Sequence, residues 1–227
     1  MDTAHDFRIL VAENAIARLE KILKQKGLPY PHRKEKALEI LSKIRSNLMA
    51  VKYSFMPANL LLNYPPLKQI PKLALDFAKE VAPPKMFKPK DVKEKLLLSE
   101  VKYCLRVLIG LPLRIRLGEE NKPENSIDIL GVEVLSVMKH PKASNLKITK
   151  AGTEKEGFTI ITNIINIRKG EIRAVALLPP IILFGEVSDA MYCSGPLTKE
   201  IKGKRPPSKL IHISEISSKV EEILRQK

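Results

Sequence analysis

The chain has 227 residues, room for two small domains each with its own core, and 40 Lys and Arg against 25 Asp and Glu give it a net charge of +15. No apolar run approaches the roughly 20 residues of a membrane span. The acidic start MDTAHDFRIL lacks the cationic n-region of a signal peptide, and 4 scattered histidines with 2 cysteines show no paired metal-ligand spacing. The expectation is a cytoplasmic protein with a polyanion as partner, no membrane, no metal and no cofactor.

Residues 1–117 are read as a helical domain. Ile9, Ala12, Ile16, Leu19 and Leu23 recur at steps of three and four, as do Leu41, Ile44, Leu48, Val51 and Phe55. Ile70, Leu73, Ala74, Phe77 and Val81 form a third set, and Leu97, Val101, Cys104 and Leu108 a fourth. Gly27, Pro29 and Pro31 end the first helix, Pro57 with Pro65 and Pro66 the second, and Pro83, Pro84 and Pro89 the third, because proline lacks an amide donor and clashes with the preceding turn. Each stripe reads as a packed core face. After Gly110 the period changes: Leu111, Leu113, Ile115 and Leu117 alternate with Pro112, Arg114 and Arg116, which predicts a strand. The polar stretch Gly118 to Ser126 then predicts a linker.

Residues 127–227 form the second domain. Its strands are expected at Ile129 to Met138, Leu146 to Ala151, Phe158 to Ile164, Ile172 to Leu178 and Ala190 to Cys193. Five short strands fit an OB-type barrel, although periodicity alone also allows a small sandwich. A basic loop, Lys199 to Lys209, leads to a helix, Ser214 to Arg225, with Ile216, Val220, Ile223 and Leu224 on one side. The fold class is therefore α+β: a helical amino-terminal domain, then a five-stranded OB-fold β-barrel with a carboxy-terminal extension and short helix.

Pro141 disfavours helical backbone at His140 and ends the first strand in an extended turn, which displays Lys139, Lys142, Ser144 and Asn145 on the first of the two OB binding loops. The second loop is Pro179 to Asp189, with Gly185 and Ser188, so the two meet at one rim. Ser188 reads as a hydroxyl donor to phosphate or ribose, or as a turn serine. Met191 reads as a pliable contact to sugar or base, or as core. His140 reads as a turn histidine bonded to backbone rather than as an acid or a ligand.

The run G-V-E-V-L-S-V-M-K-H-P-K-A-S-N-L (Gly131 to Leu146), the strand T-I-I-T-N-I (Thr159 to Ile164) and P-x-x-x-x-G-x-x-S-x-x-M-Y (Pro180 to Tyr192) together resemble the tRNA-binding domain family. That module is appended to methionyl-tRNA synthetases, to bacterial phenylalanyl-tRNA synthetase β subunits and to cytokine-precursor cofactors, and it also occurs free-standing. The resemblance covers residues 129–194. It implies an OB-fold that holds the outer corner of folded tRNA by shape, commonly in a dimer, here a homodimer. Two departures stand out. Ala190 replaces a usual glycine, and L-L-P-P-I-I-L-F (Leu177 to Phe184) places apolar residues at three usually basic positions.

Replacement cations are expected from Lys147, Lys150, Arg168, Lys169 and Arg173 in the barrel and from Lys199, Lys202, Lys204 and Arg205 in the tail, whereas the apolar run suggests contact with protein. The barrel's few aromatics, Phe158, Phe184 and Tyr192, favour structured RNA over stacked single strands. Residues 1–125 hold 24 basic and 14 acidic residues against 16 and 11 in residues 126–227, so the helical half is the more basic. Its clusters Lys24, Lys26, Arg33, Lys34, Lys36 and Lys85, Lys88, Lys90, Lys93, Lys95 read either as more RNA-binding surface or as a solvated face. The expected function is non-catalytic tRNA binding. The rival is a protein-interaction scaffold or dimerisation module that docks an aminoacyl-tRNA synthetase. An enzyme is disfavoured: no Ser-His-Asp, Cys-His or phosphate-loop spacing is present, and a Cys193 with His140 pair would need a depressed thiol pKa.

Overall fold

The computed structural model describes residues 1–225, so positions 226 and 227 of the expected 127–227 segment lie outside the described residues. The class is α+β, with helices first, then a five-stranded antiparallel sheet and a short final helix. The chain divides into two compact units, Met1–Ile127 with the chain from Val220 onward, and Asp128–Lys219.

In the first unit the helices are α1 (Phe7–Lys21), α2 (Lys34–Lys52), α3 (Ala58–Leu61), α4 (Pro65–Glu80), α5 (Val92–Ile109) and α6 (Leu111–Ile115). The apolar stripes face inward: Ile9, Ala12, Ile16 and Leu19 on α1, Leu41, Ile44, Leu48 and Val51 on α2, Ile70, Ala74 and Phe77 on α4, and Val101, Cys104 and Leu108 on α5 are buried. Each large side chain removed from water in this way contributes about 1.5–3 kcal/mol. Phe55 departs from its stripe, because α2 stops at Lys52 and Phe55 lies exposed in the left-handed region. Pro65 and Pro66 begin α4 rather than end α2, since the first turn of a helix has no use for their missing amides.

The strand expected after Gly110 is instead α6. Pro112 fits its first turn, and Leu111 and Ile115, four residues apart, are both buried while Leu113 and Leu117 are exposed. Alternation over so few residues matched the helical step of four equally well. Nor is 118–126 a free linker. Gly118 O accepts from Arg8 Nη1 (2.6 Å), Glu119 Oε1 from Ala58 N (3.0 Å) and Asn121 Oδ1 from Phe7 N (2.9 Å), and a 3-10 turn follows at Pro123–Asn125. Arg8 is itself buried in an ion pair with Asp6 (2.7 Å), the α1 cap, so the start of α1 and the end of the unit are stitched together.

The second unit contains β1 (Ile129–His140), β2 (Ala143–Gly152), β3 (Gly157–Thr162), β4 (Ile172–Ala176), β5 (Ile181–Leu183), β6 (Glu186–Ser188) and β7 (Met191–Leu197). The five-stranded sheet runs β3-β2-β1-β4-β7, and β5 and β6 form a separate hairpin. β1 serves two neighbours: Ile129 to Glu133 pair with β4, and Glu133 to His140 pair with β2. A register shift between Val134 and Ser136 bends β1 between these roles. Val132, Val134, Ala151, Phe158, Ile160, Val175, Leu177 and Tyr192 fill the core.

Among the described residues no ladder joins the edge strands β3 and β7, so the barrel is not closed by strand pairing. The end of β6 and the residue after it bridge from β3 instead. Ser188 Oγ accepts from Ile161 N (3.1 Å), Asp189 Oδ2 accepts from Thr159 N (2.9 Å), and Asp189 N donates to Thr159 O (2.8 Å). The tail packs on β1 at Gly131, whose N donates to Lys204 O (2.9 Å) and whose O accepts from Gly203 N (2.8 Å). A Cβ there would stand 2.3 Å from Ile201 O, so only glycine permits this approach. The final helix, α7 (Ile213–Arg225), buries Ile216, Val220 and Ile223. No helix among the described residues is long and apolar enough to cross a membrane.

Candidate nucleic-acid interface

The β1–β2 connection is a two-residue turn, Pro141 and Lys142, with His140 opposite Ala143. His140 is buried at 4% exposure, and its Nδ1 accepts from Lys142 N (3.1 Å). The ring thus holds the turn and has no access to solvent. Its face meets the ring of Phe184 at 6.0 Å and 71°. Phe184 and Gly185 both have positive φ (50° and 91°), as a type I′ hairpin turn between β5 and β6 requires. The bare Cα of Gly185 makes room for Lys142, whose Nζ would lie 3.3 Å from a Cβ there. The two connections therefore meet.

Lys139 and Lys147 stand directly opposite each other across β1 and β2, two residues beyond the partners Val137 and Thr149 on the same face. They carry that face from the core to the rim. Lys147 Nζ donates to Ile165 O, and Lys150 Nζ donates to Thr159 Oγ1 (2.7 Å). Lys139 and Lys142 are exposed with no ion-pair partner among the described residues.

The remaining expected site residues fall elsewhere or point inward. Ser144 and Asn145 are exposed but belong to β2, because the turn is shorter than the loop expected there. Arg168 and Lys169 are exposed between β3 and β4. Arg173 is buried, its Nε on Glu171 Oε2 (2.8 Å) and its Nη1 on Ser194 O (3.2 Å). Ser188 is buried and also donates to Ala190 O (3.1 Å), while Met191 is half-buried opposite Ala176. Lys199 and Lys204 are exposed, and Arg205 is half-buried with an interaction of its own. Lys202 pairs with Glu133 Oε2 (2.6 Å) and holds that carboxyl below its usual value. These tail groups sit beside Gly131, at the opposite end of β1 from His140, roughly 25–30 Å along the strand.

Ala190 has no positive φ and is buried in the core, so the absent glycine imposes no backbone strain. Both cysteines are free and buried. Burial pushes the Cys193 thiol up to about 12, with Arg205 lowering and Glu215 raising it more weakly, opposite to the shift a nucleophile paired with His140 would need. Burial raises Cys104 as well. The β5–β6 hairpin had only a short signal in the sequence, the apolar run Ile181 to Leu183 ending at a two-residue Phe-Gly, and the bridging role of Asp189 had none.

Residues 1–118, just over half of the chain, match the family described as "Alpha helical domain". No curated protein matches the chain. Among solved structures, the C-terminal domain of Plasmodium vivax p43 is similar at 22% identity and a TM-score of 0.29, over 36% of this chain and 54% of that one. The chain thus spans about half the length of that structure.

Proposed function

The chain belongs to the family described as an alpha helical domain, and from that premise we propose that it is a non-catalytic tRNA-binding protein. In this reading the sheet unit takes folded tRNA by shape and charge at the rim where the β1–β2 turn meets the β5–β6 hairpin. The resemblance of residues 129–194 to the tRNA-binding domain family supports it, as does the five-stranded antiparallel sheet.

The observation that carries the reading is the placement of Lys139, Lys142 and Lys147. Two of these like charges face each other across a strand pair, which is unfavourable in the free protein and is relieved by a bound phosphate. Lys142 adds a third charge from the turn, held in place by the His140 bond to its backbone N–H. The triple variant K139A/K142A/K147A should weaken tRNA binding at least tenfold, about 1.4 kcal/mol or more, and flatten the dependence on salt by roughly 2–3 units of log–log slope. Unchanged affinity with unchanged slope would sink the assignment.

A second reading, a protein-interaction scaffold that docks an aminoacyl-tRNA synthetase, is favoured by the same hairpin. Ile181, Ile182 and Phe184 are exposed, with Met138 also exposed on β1. If the wild-type chain fails to bind tRNA at low salt while remaining folded, the scaffold reading replaces the first.

A further inference from the structure

The helical unit holds its own concentration of unneutralised charge, at the end of the bundle where α1 finishes, α2 and α5 begin and α4 ends. Two connections lock together there. Tyr30 Oη donates to Val81 O (2.8 Å), Arg33 N donates to Glu80 O (3.3 Å), and the rings of Tyr30 and Phe87 meet edge to face at 4.9 Å. The second connection is also anchored where it enters α5. Asp91 Oδ1 accepts from Glu94 N (2.8 Å), and Glu94 Oε2 accepts from Lys90 N (2.8 Å). Pro29 and Pro31 in one link and Pro83, Pro84 and Pro89 in the other fix φ and stiffen the frame.

Glu80 is already committed to Lys36 (2.9 Å) and Arg33 (3.7 Å). Around this junction Lys34, Lys85, Lys88, Lys90 and Lys93 are exposed and have no ion-pair partner among the described residues. Lys85, Lys88 and Lys90 on the second connection and Lys34 and Lys93 at the starts of α2 and α5 repel one another, and a multivalent anion relieves them together. We propose that this junction is a second polyanion site, one that grips the sugar-phosphate backbone of duplex RNA.

The side chains between the lysines favour that partner over others. Phe87 is folded against Tyr30, so no aromatic is offered for stacking unpaired bases. Among the described residues Met86 is the one large apolar side chain the junction exposes, which is too little to insert into a lipid surface. Charge spread along a stiff edge matches a regular double helix recognised through its phosphates. The site does not depend on the tRNA assignment of the sheet unit, because it uses other residues and needs no folded tRNA corner.

The test uses the full chain and a blunt RNA duplex of about 20 base pairs, long enough to span a protein surface of this size. The variant K34Q/K85Q/K88Q/K90Q/K93Q should bind the duplex at least tenfold more weakly and lower the log–log salt slope by about 3 or more. A charge-matched control, K43Q/K68Q/K72Q/K102Q/R116Q, removes exposed cations elsewhere in the same unit and should change affinity by less than about threefold. K139A/K142A/K147A should retain the duplex whether or not it retains tRNA, which separates failure of this site from failure of the rim in the sheet unit. Equal losses in the junction variant and the charge-matched control would reduce the effect to net charge and overturn the proposal, as would a wild-type chain that ignores the duplex. Duplex binding left intact in the junction variant, with loss only of binding to phosphatidylserine vesicles, would overturn it in favour of a membrane surface.

Discussion

In the sheet unit Arg173 bonds Glu171 and Ser194, Lys202 bonds Glu133, Lys150 bonds Thr159 and Lys147 bonds Ile165 O, whereas at the end of the helical bundle Lys34, Lys85, Lys88, Lys90 and Lys93 have no ion-pair partner among the described residues. Both regions look alike as strings of basic residues. They differ because each of those sheet-unit cations lies beside an open carboxylate, hydroxyl or carbonyl, whereas at the end of the bundle the Glu80 carboxylate is already taken by Lys36 and Arg33. Counting Lys and Arg overstates the charge available to a ligand in both units, since Arg18 and Lys26 share Glu100 and Lys24 and Arg45 share Glu20 in the helical one; the end of the bundle differs from the rest of its own unit as much as from the sheet.

Three substitutions probe that contrast. The largest effect is expected at Arg173: removing one partner of a buried pair strands the other, and Arg173→Gln should lower unfolding stability in urea by about 3–5 kcal/mol. The folded variant should keep its tRNA affinity, and a loss of affinity without a loss of stability would turn Arg173 from a structural group into a contact. Ser188→Ala comes next. It leaves the Ile161 N–H unpaired at the gap between β3 and β6, at a cost of about 1–3 kcal/mol by the same measurement. A variant as stable as the wild type but deficient in tRNA binding would restore Ser188 to the ligand-contacting set.

The smallest effect concerns pH. The Lys202 ammonium lowers the Glu133 carboxyl below 4.5, so the folded state binds that proton less readily than the unfolded chain does. The pair accordingly helps the tail above pH 4.5 and loses its help as pH falls through the lowered folded value. Amide exchange at Gly203, which donates to Gly131 O, should accelerate across that acid window in the wild type and show no such step in Glu133→Gln. An identical profile in both would mean that the backbone bonds alone hold the tail.

Much of the fold was legible because period survives context. The stripes of α1, α2, α4 and α5 span several turns each, long enough for the helical step to stand out, and all five strands of the main sheet were bracketed by turn residues. What failed was short. Leu111 to Leu117 alternates over too few positions to separate a strand from a helix, and Gly118 to Ser126 looked detached because its bonds run to Arg8, Ala58 and Phe7, far away in sequence. The rim itself was readable from His-Pro on one side and Gly-x-x-Ser on the other, yet burial was not. Arg173 and Ser188 carry polar groups that a linear reading assigns to solvent, and only the folded register reveals that they are already bonded from within.

The sealed thiols have a practical consequence. With Cys104 and Cys193 both inside and both shifted toward the unreactive protonated form, a single cysteine introduced at Met86 or at Lys142 becomes the one handle open to alkylation. A maleimide dye or a photocrosslinker placed on either region would then report which nucleotides or which protein lie against it, with no background from the native chain to subtract.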